Sequence, residues 1–515
     1  MSAEQGVLVE GGEERPPVQP PVGDRAGGKP RLKPINREQI CLQVVDVERL
    51  VEQDHPVRAI WELVGGLNLS EFYEGIKAVE GVAGRDRSDP RLLISLWLYA
   101  VSQGVRAARE LAEWSRYDPG CQWLTGLGRI NYHTLSDFVT VKEAALEQLF
   151  LEVLEVLLVE DLVELKRVMH DGTKVRACAS RRSFKREERL AECRKLAEEQ
   201  LTALKRSPPE GGARARKARQ RAARERRERV DRAEQELKRL QAHKGASEQA
   251  QVRVSVTDPE ARVMKQGDGG FAPSYNVQIS TDARHGALVA FEVSQAGEDS
   301  QELRPALERM EHHLGRLPEQ MVVDGNYTTR QNILETAEQP TELIGSLGQD
   351  RSRNKLERHG VSPAFFPEHF LWDAASNSYT CPAGKPLRYK RNKKLVGATE
   401  QHYRAKPSDC QACPHHSQCC PKTAARGRLL IRIEEHPTVA AFRQKMQTPH
   451  YRSIYRERAP VAEFSNACLK EKKGLRRFLR RGRPRVRAET AWACISCNVS
   501  LWIRLRWKAR RRASA

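Results

Sequence analysis

The sequence has no apolar stretch long enough to cross a bilayer. Its longest, Leu92 to Val101 (LLISLWLYAV), is half of the roughly 20 residues that a span needs. Residues Met1 to Pro34 contain six prolines and six glycines but no apolar core of the signal-peptide kind, so a disordered leader is expected there. With no export signal, the twelve cysteines are expected in a reducing compartment, where a disulfide framework is disfavoured. Membrane and secreted classes drop out, and a cytoplasmic protein is expected. At 515 residues, 39% apolar and a mean hydropathy of −0.64, the chain reads as soluble with long solvated stretches.

Most of the chain also lacks net charge. The total is +21, yet residues 181–250 hold 22 basic and 12 acidic side chains, and residues 470–515 hold 16 and 2. Everything outside these two segments is close to neutral. Such concentrated charge points to a polyanion partner, most simply nucleic acid, with a solvated charged face as the alternative.

Patterning divides the rest. Residues 35–160 are expected to form a helical, DNA-binding N-terminal domain. Pro90 opens a run in which Leu93, Leu96, Trp97, Ala100 and Val101 recur at helical spacing, closed by Gly104. Val105 to Ser115 predicts a second helix. A third is expected after Tyr132-His133-Thr134, capped by Thr134 or Ser136, with Phe138 on its buried face. These short helices suit a helix-turn-helix module and equally any small bundle.

After Glu164 the pattern turns to strands. Leu165 to Val175 is one, Tyr275 to Ser280 and Ala287 to Val293 form a hairpin about Asp282 to Gly286, and Gln320 to Val323 follows a helix at about Ser300 to Leu314. That order belongs to an α/β fold. Two insertions interrupt it. In residues 181–250, Val230, Ala233, Leu237 and Leu240 repeat at 3-4-3 spacing, and Leu190, Cys193 and Leu196 begin a matching register. This predicts a helical hairpin or coiled coil, broken at Ser207-Pro-Pro-Glu-Gly-Gly212, whose second arm has nine Arg or Lys between Arg214 and Arg229. The second insertion spans 346–449.

Two segments, His170-Asp171-Gly172 and Val323-Asp324-Gly325, each set an Asp after apolar strand residues. A carboxylate at a sheet rim beside buried apolar groups calls for a metal or cationic partner. Two turn aspartates are the plainer alternative. A third acid, Glu463, precedes Phe464, next to core-facing residues, and shares a helical face with Lys470.

With these residues in this order, the chain resembles a bacterial insertion-sequence transposase of the DDE type, from the group with a Tyr-Arg-Glu-Lys signature. The resemblance runs from about residue 35 to 505. It passes through Tyr132-His133-Thr134-Leu-Ser-Asp-Phe138, His170-Asp171-Gly-Thr-Lys-Val and Ser255-Val-Thr-Asp-Pro-Glu-Ala-Arg262, then Tyr275-Asn-Val-Gln278, Val323-Asp324-Gly-Asn-Tyr327 and the run from Tyr455 through Gly474-Leu-Arg-Arg-Phe478 to Asn498. It implies a ribonuclease-H-like mixed-sheet core from residues 161–345 and 450–505, with a basic tail at 506–515. It implies that Asp171, Asp324 and Glu463 are the catalytic acids and hold Mg²⁺ or Mn²⁺, while Tyr455, Arg458 and Lys470 contact DNA. Four residues separate Arg458 from Glu463 where the signature has three; the six between Glu463 and Lys470 match it. Element ends and target DNA are the implied partners, with a homodimer or higher assembly on DNA and a nucleoid-associated location. The alternative is a transposase-derived DNA-binding protein that no longer cuts.

The second insertion carries a further pattern. Cys381-Pro-Ala-Gly384 is half a zinc knuckle, and Cys410-x-x-Cys413 with Cys419 and Cys420 supplies the rest. Cys381, Cys410, Cys413 and Cys419 are the expected ligands of a structural Zn²⁺, with His415 and His416 as substitutes and free thiols as the alternative. Cys494-Ile-Ser-Cys497 lies in an apolar helical pattern and is expected to pack in the core.

Overall fold

The computed structural model describes residues 44–74, 76, 86–139, 143–206, 212–346 and 352–514. The expected leader and residues 207–211 of the expected helix break lie outside the described residues. Residues 47–515 form one compact unit; of the other, residues 1–46, only 44–46 are described.

Helix α1 (Pro90–Ser102) starts where the sequence predicts. Asp89 caps it by accepting from the Arg91 N–H, Pro90 occupies the first turn, and Gly104 at φ 82° turns the chain after it. Helices α2 (Ala108–Trp114) and α3 (Tyr132–Phe138) follow. The cap of α3 is Asn131, which accepts from the His133 N–H at 2.9 Å, and not Thr134 or Ser136. The helix therefore begins at Tyr132, two residues before Thr134. Phe138 is half-buried as expected, its ring 6.5 Å from that of Trp492. Helix α4 (Glu143–Val159) leads to β1 (Arg167–Arg176).

The first insertion is a pair of helices, α5 (Glu187–Arg206) and α6 (Ala213–Ala242). Hydrogen bonds of Gln241 with Glu187, Arg194 with Glu234, and Arg226 with Gln200 run in opposite directions along the two, so they are antiparallel. Leu190, Ala197, Val230, Ala233 and Leu237 are buried, with Cys193 and Leu240 at the margin. Leu196 departs from the expected register at 55% exposed, because Ala197, seven residues after Leu190, takes the seam.

The chain then forms β2 (Arg262–Lys265), β3 (Phe271–Asp282), β4 (Leu288–Ser294), helix α7 (Leu303–Leu314), β5 (Gln320–Val323), helix α8 (Arg330–Ala337) and β6 (Glu342–Gly345). The mixed sheet has the order β2-β3-β1-β5-β6, with β4 also on β3. Strand β3 runs antiparallel to β1, β2 and β4, while β1, β5 and β6 are mutually parallel.

The second insertion holds a five-stranded antiparallel sheet that the sequence pattern did not reveal: β7 (Leu371–Asp373), β8 (Ser378–Thr380), β9 (Pro386–Leu395), β10 (Ala398–Ala405) and β11 (Leu429–Glu435), in sequential order. Its longest strand, β9, hides its period because Arg388 through Lys394 is solvent-exposed on both faces.

Helices α9 (Pro449–Arg456) and α10 (Arg458–Ala467), a π-helical turn (Cys468–Lys472) and α11 (Arg483–Trp502) complete the fold. α11 is buried along almost its whole length and joins α1, α4, β1, β3, β4 and α7 in one apolar core. Two motif residues toward the C-terminus, Asn498 and Phe478, hold strands in place. Asn498 accepts from the Leu288 N–H and donates to the Leu288 carbonyl, both at 2.9 Å, pinning the start of β4. Phe478 donates its N–H to the Arg176 carbonyl at 2.8 Å and sets its ring edge-on to Tyr275, fixing the end of β1.

Candidate active site

Sheet register places the two aspartates. In the parallel pair β1/β5, His170 stands opposite Val323. The next residues are Asp171, still within β1, and Asp324, the first residue after β5. Residues at one level on neighbouring parallel strands share a face, with the strands about 4.8 Å apart. Asp171 does not end its strand, as the sequence suggested. β1 continues to Arg176 against β3, with Gly172 opposite Gln278, so Asp171 lies where its parallel neighbour stops. The Asp-Gly turn reading therefore fails for Asp171. It holds locally for Asp324, whose Oδ1 accepts from the Asn326 N–H at 2.7 Å.

Gly172 has a packing reason. A Cβ there would lie within 3 Å of Gln278 Nε2, Asp299 Oδ1 and the Tyr327 hydroxyl. Those groups form a polar layer against β1. Asp299 Oδ1 accepts from Lys174 Nζ (3.0 Å), Asn276 Nδ2 (2.7 Å) and Gln278 Nε2 (2.9 Å), and the Tyr327 hydroxyl donates to Gln278 Oε1 (2.6 Å). The sequence places Asn276 and Gln278 in a strand, alternating with the apolar Tyr275, Val277 and Ile279, and gives no sign of Asp299. Their shared burial is the signal that was absent: both faces of β3 are covered.

Asp171 is itself 23% exposed. Burial pushes its carboxyl up from the usual range. The Arg458 guanidinium opposes this, and the neighbouring Asp324 and Asp299 charges add to it. Arg458 lies 3.9 Å from Asp171 Oδ1, and Asn466 Nδ2 donates to Oδ2 at 3.0 Å. Both come from α10, which Ser465 also ties to β3 by accepting from the Thr281 hydroxyl at 2.9 Å. Asn466 Oδ1, by contrast, is buried without a hydrogen-bond partner.

Glu463, one turn earlier on α10, has an exposed side chain. Its neighbour Phe464 is 46% exposed, so the expectation that Glu463 adjoins core-facing residues is not met there; the buried side of α10 falls on Ala462 and Ser465. Among the described residues, no three His, Cys, Asp or Glu side chains stand in metal-holding geometry. Asp171, Asp324 and the orphaned Asn466 oxygen nonetheless offer oxygen donors beside clustered negative charge, which suits a hard divalent cation. Tyr455 donates from its hydroxyl to Ser346 at 3.1 Å, just beyond β6, and Arg458 lies over the Tyr455 ring. Lys470 falls inside the π turn, so it does not continue a regular helical face from Glu463. Burial and the Arg476 charge pull its ammonium down from the usual lysine range, while Asp171 opposes them.

The cysteines of the second insertion share a cavity, though they too stand outside metal-holding geometry. Cys381, Cys410, Cys413 and Cys419 line one cavity of about 30 Å³, together with Cys420, His415 and His416. Cys381 Sγ accepts from the Lys385 N–H and Cys410 Sγ from the Arg428 N–H, both at 3.3 Å. Burial and the neighbouring Cys419 and Cys410 push the Cys420 thiol up to about 12.

Residues 380–502 match the family model of a transposase DDE domain, and residues 45–140 match that of a transposase domain, DUF772. These matches support a DDE-type transposase. A DDE transposase domain implies a nuclease or transferase acting on DNA. The DDE match takes in Tyr455, Arg458, Glu463, Lys470 and the clustered cysteines; Asp171 and Asp324 lie between the two matched segments. Comparisons with curated proteins and with solved structures found no match. No helix among the described residues is long and apolar enough to cross a membrane.

Proposed function

We propose that this transposase binds the ends of an insertion sequence and catalyses metal-dependent cleavage and strand transfer from a ribonuclease-H-like core. The observation that carries the reading is that Asp171 and Asp324 each directly follow the last registered pair of adjacent parallel strands, His170 and Val323, with Asn466 of α10 bonded to Asp171. The strand order and the mixed parallel and antiparallel directions of the sheet support it.

In this reading Asp171 and Asp324 hold a divalent ion, Mg²⁺ or Mn²⁺, and Glu463 joins them when the side chain turns inward on DNA. A divalent ion held by these residues would supply activation of an attacking oxygen and stabilisation of a leaving one in a phosphoryl displacement. The Arg458 guanidinium favours the charged form of Asp171 against its burial. Asn466 holds its second oxygen. Lys470, Tyr455 and the basic residues of the π turn position backbone phosphates, supplying register more than sequence readout. The helical segment 35–160 and the basic pair α5/α6, read as a coiled coil, add end contacts, and two protomers or more bring two ends together.

The second insertion is read as a zinc module in which Cys381, Cys410, Cys413 and Cys419 bind one structural Zn²⁺. The convergence of these thiols on one cavity supports it, and Cys420 is a further candidate ligand.

The test is substitution. Asp171→Ala, Asp324→Ala and Glu463→Ala are each expected to lower cleavage of end-containing DNA by at least about a thousandfold, with end binding retained. Normal cleavage by any one variant removes that residue from the site. A wild-type protein that binds ends and never cuts them supports the inactive DNA-binding alternative.

A further inference from the structure

The pair Cys494-x-x-Cys497 does pack in the core: both thiols are buried. The structure adds a third cysteine. Cys468, the first residue of the π turn, sets its Sγ 2.8 Å from that of Cys497 on α11. This is inside the van der Waals contact of two sulfurs, and closing to a covalent bond of about 2.05 Å requires less than an ångström of movement. Cys497 is enclosed, while Cys468 is only half-buried.

Cations surround the pair. The buried Lys473 donates from Nζ to the Ser500 hydroxyl at 2.9 Å, one turn beyond Cys497, and its N–H bonds to the Cys468 carbonyl at 3.0 Å. Lys472 and Arg504 add further positive charge. A half-buried cysteine in contact with a second thiol and ringed by cations has the features of a reversible redox site.

We propose that Cys468 and Cys497 form a modification site at which a peroxide generates a reversible disulfide, tying the turn that carries Lys470 to α11. The Cys468 thiolate attacks one peroxide oxygen. The S–O bond forms, the O–O bond breaks, and the departing hydroxide takes a proton and leaves as water. The Cys497 thiol then gives up its proton and attacks the Cys468 sulfenic acid. The S–S bond forms, the S–O bond breaks, and a second water leaves. Two electrons pass from the two thiols to the peroxide. In a reducing compartment such a bond is transient, as expected of a sensor and not of a structural brace.

The test uses the reduced full-length protein treated with hydrogen peroxide, alkylated, digested and mapped by mass. The expected product is a peptide pair linked through Cys468 and Cys497, with alkylation of Cys468 falling at least tenfold and returning after dithiothreitol. Cys468→Ser is expected to abolish the linked pair. Cys497→Ala, which retains a small apolar side chain, is expected to accumulate sulfenic acid at Cys468, trapped by dimedone. Oxidation of Cys468 in the wild-type chain with no linked pair, a Cys494–Cys497 link in its place, or no oxidation at either residue overturns the proposal. Because the readout is mass and not DNA cleavage, it stands apart from the proposed function.

Discussion

Asp171 is buried enough that its carboxylate is costly, and two acids nearby add to the cost. Its folded value is raised, so the charged form is disfavoured in the fold. The metal-free protein should therefore gain stability at this site as pH falls through the folded value toward the unfolded one. Asp171→Asn is expected to raise the melting temperature of the metal-free protein at neutral pH by about 1–2 °C while abolishing cleavage. Thermal unfolding with and without Mg²⁺ checks it: added Mg²⁺ should stabilise the wild type and leave the variant unchanged. A melting temperature lowered by the substitution contradicts this account of the site. The two aspartates were legible as Asp-Gly steps after apolar residues. Their adjacency was not, because it depends on a parallel register between segments about 150 residues apart in sequence. Asp299 and Asn466 carried no local signal at all; each acquires its role from tertiary packing on β1 and β3.

At the scale of elements, strands and helices with a clear period were read nearly in place: α1, the β3/β4 hairpin and α7. What escaped was the sheet at residues 371–435, where charged residues on exposed strands mask any alternation. The basic pair α5/α6 splits in character. Arg194 and Arg227 are engaged with glutamates of the pair itself, at Glu234 and Glu198, and Arg221 pairs with Glu225; under the proposed function, phosphate contact falls to other cations of α6. Replacing Arg214, Arg216, Lys217 and Arg224 by Gln is expected to flatten the slope of log affinity against log salt by about 0.9 for each phosphate that is no longer neutralised. Fluorescence titration over a salt series measures it, and an unchanged slope makes the pair a spacer or protomer interface. The cysteine module yields a second expectation. Its own apolar cluster is small, centred on Phe370, Leu387, Tyr403 and Leu430, so a closed thiolate site would contribute folding energy directly. About one zinc per chain is expected in protein purified under reducing conditions. Cys410→Ser with Cys413→Ser should release it and expose residues 375–425 to protease. Metal content near zero makes these ordinary thiols.

At the scale of the whole molecule, α11 and the ion pairs around it bind the helical region to the sheet. Glu147 on α4 meets His313 (3.0 Å) on α7 and Arg487 (2.7 Å) on α11. The bond to His313 and the Arg487 guanidinium hold its carboxyl well below the usual range, against burial. With a depressed folded value, this contribution is complete above the unfolded range near pH 4.5 and fades as pH falls through the folded value. Glu147→Gln should cost about 2 kcal/mol in urea unfolding at pH 7, discounted for partial exposure, and the gap to wild type should narrow below about pH 4. A gap that widens in acid contradicts that assignment. The central claim concerns chemistry. The measurement that tests it most directly is incubation of the wild-type protein with labelled element-end DNA and a target duplex, with and without Mg²⁺, followed by sizing of the products. The account predicts nicked ends, and ends joined to target through their freed 3′ hydroxyls, in the Mg²⁺ arm alone. Bound DNA that stays intact in both arms contradicts it.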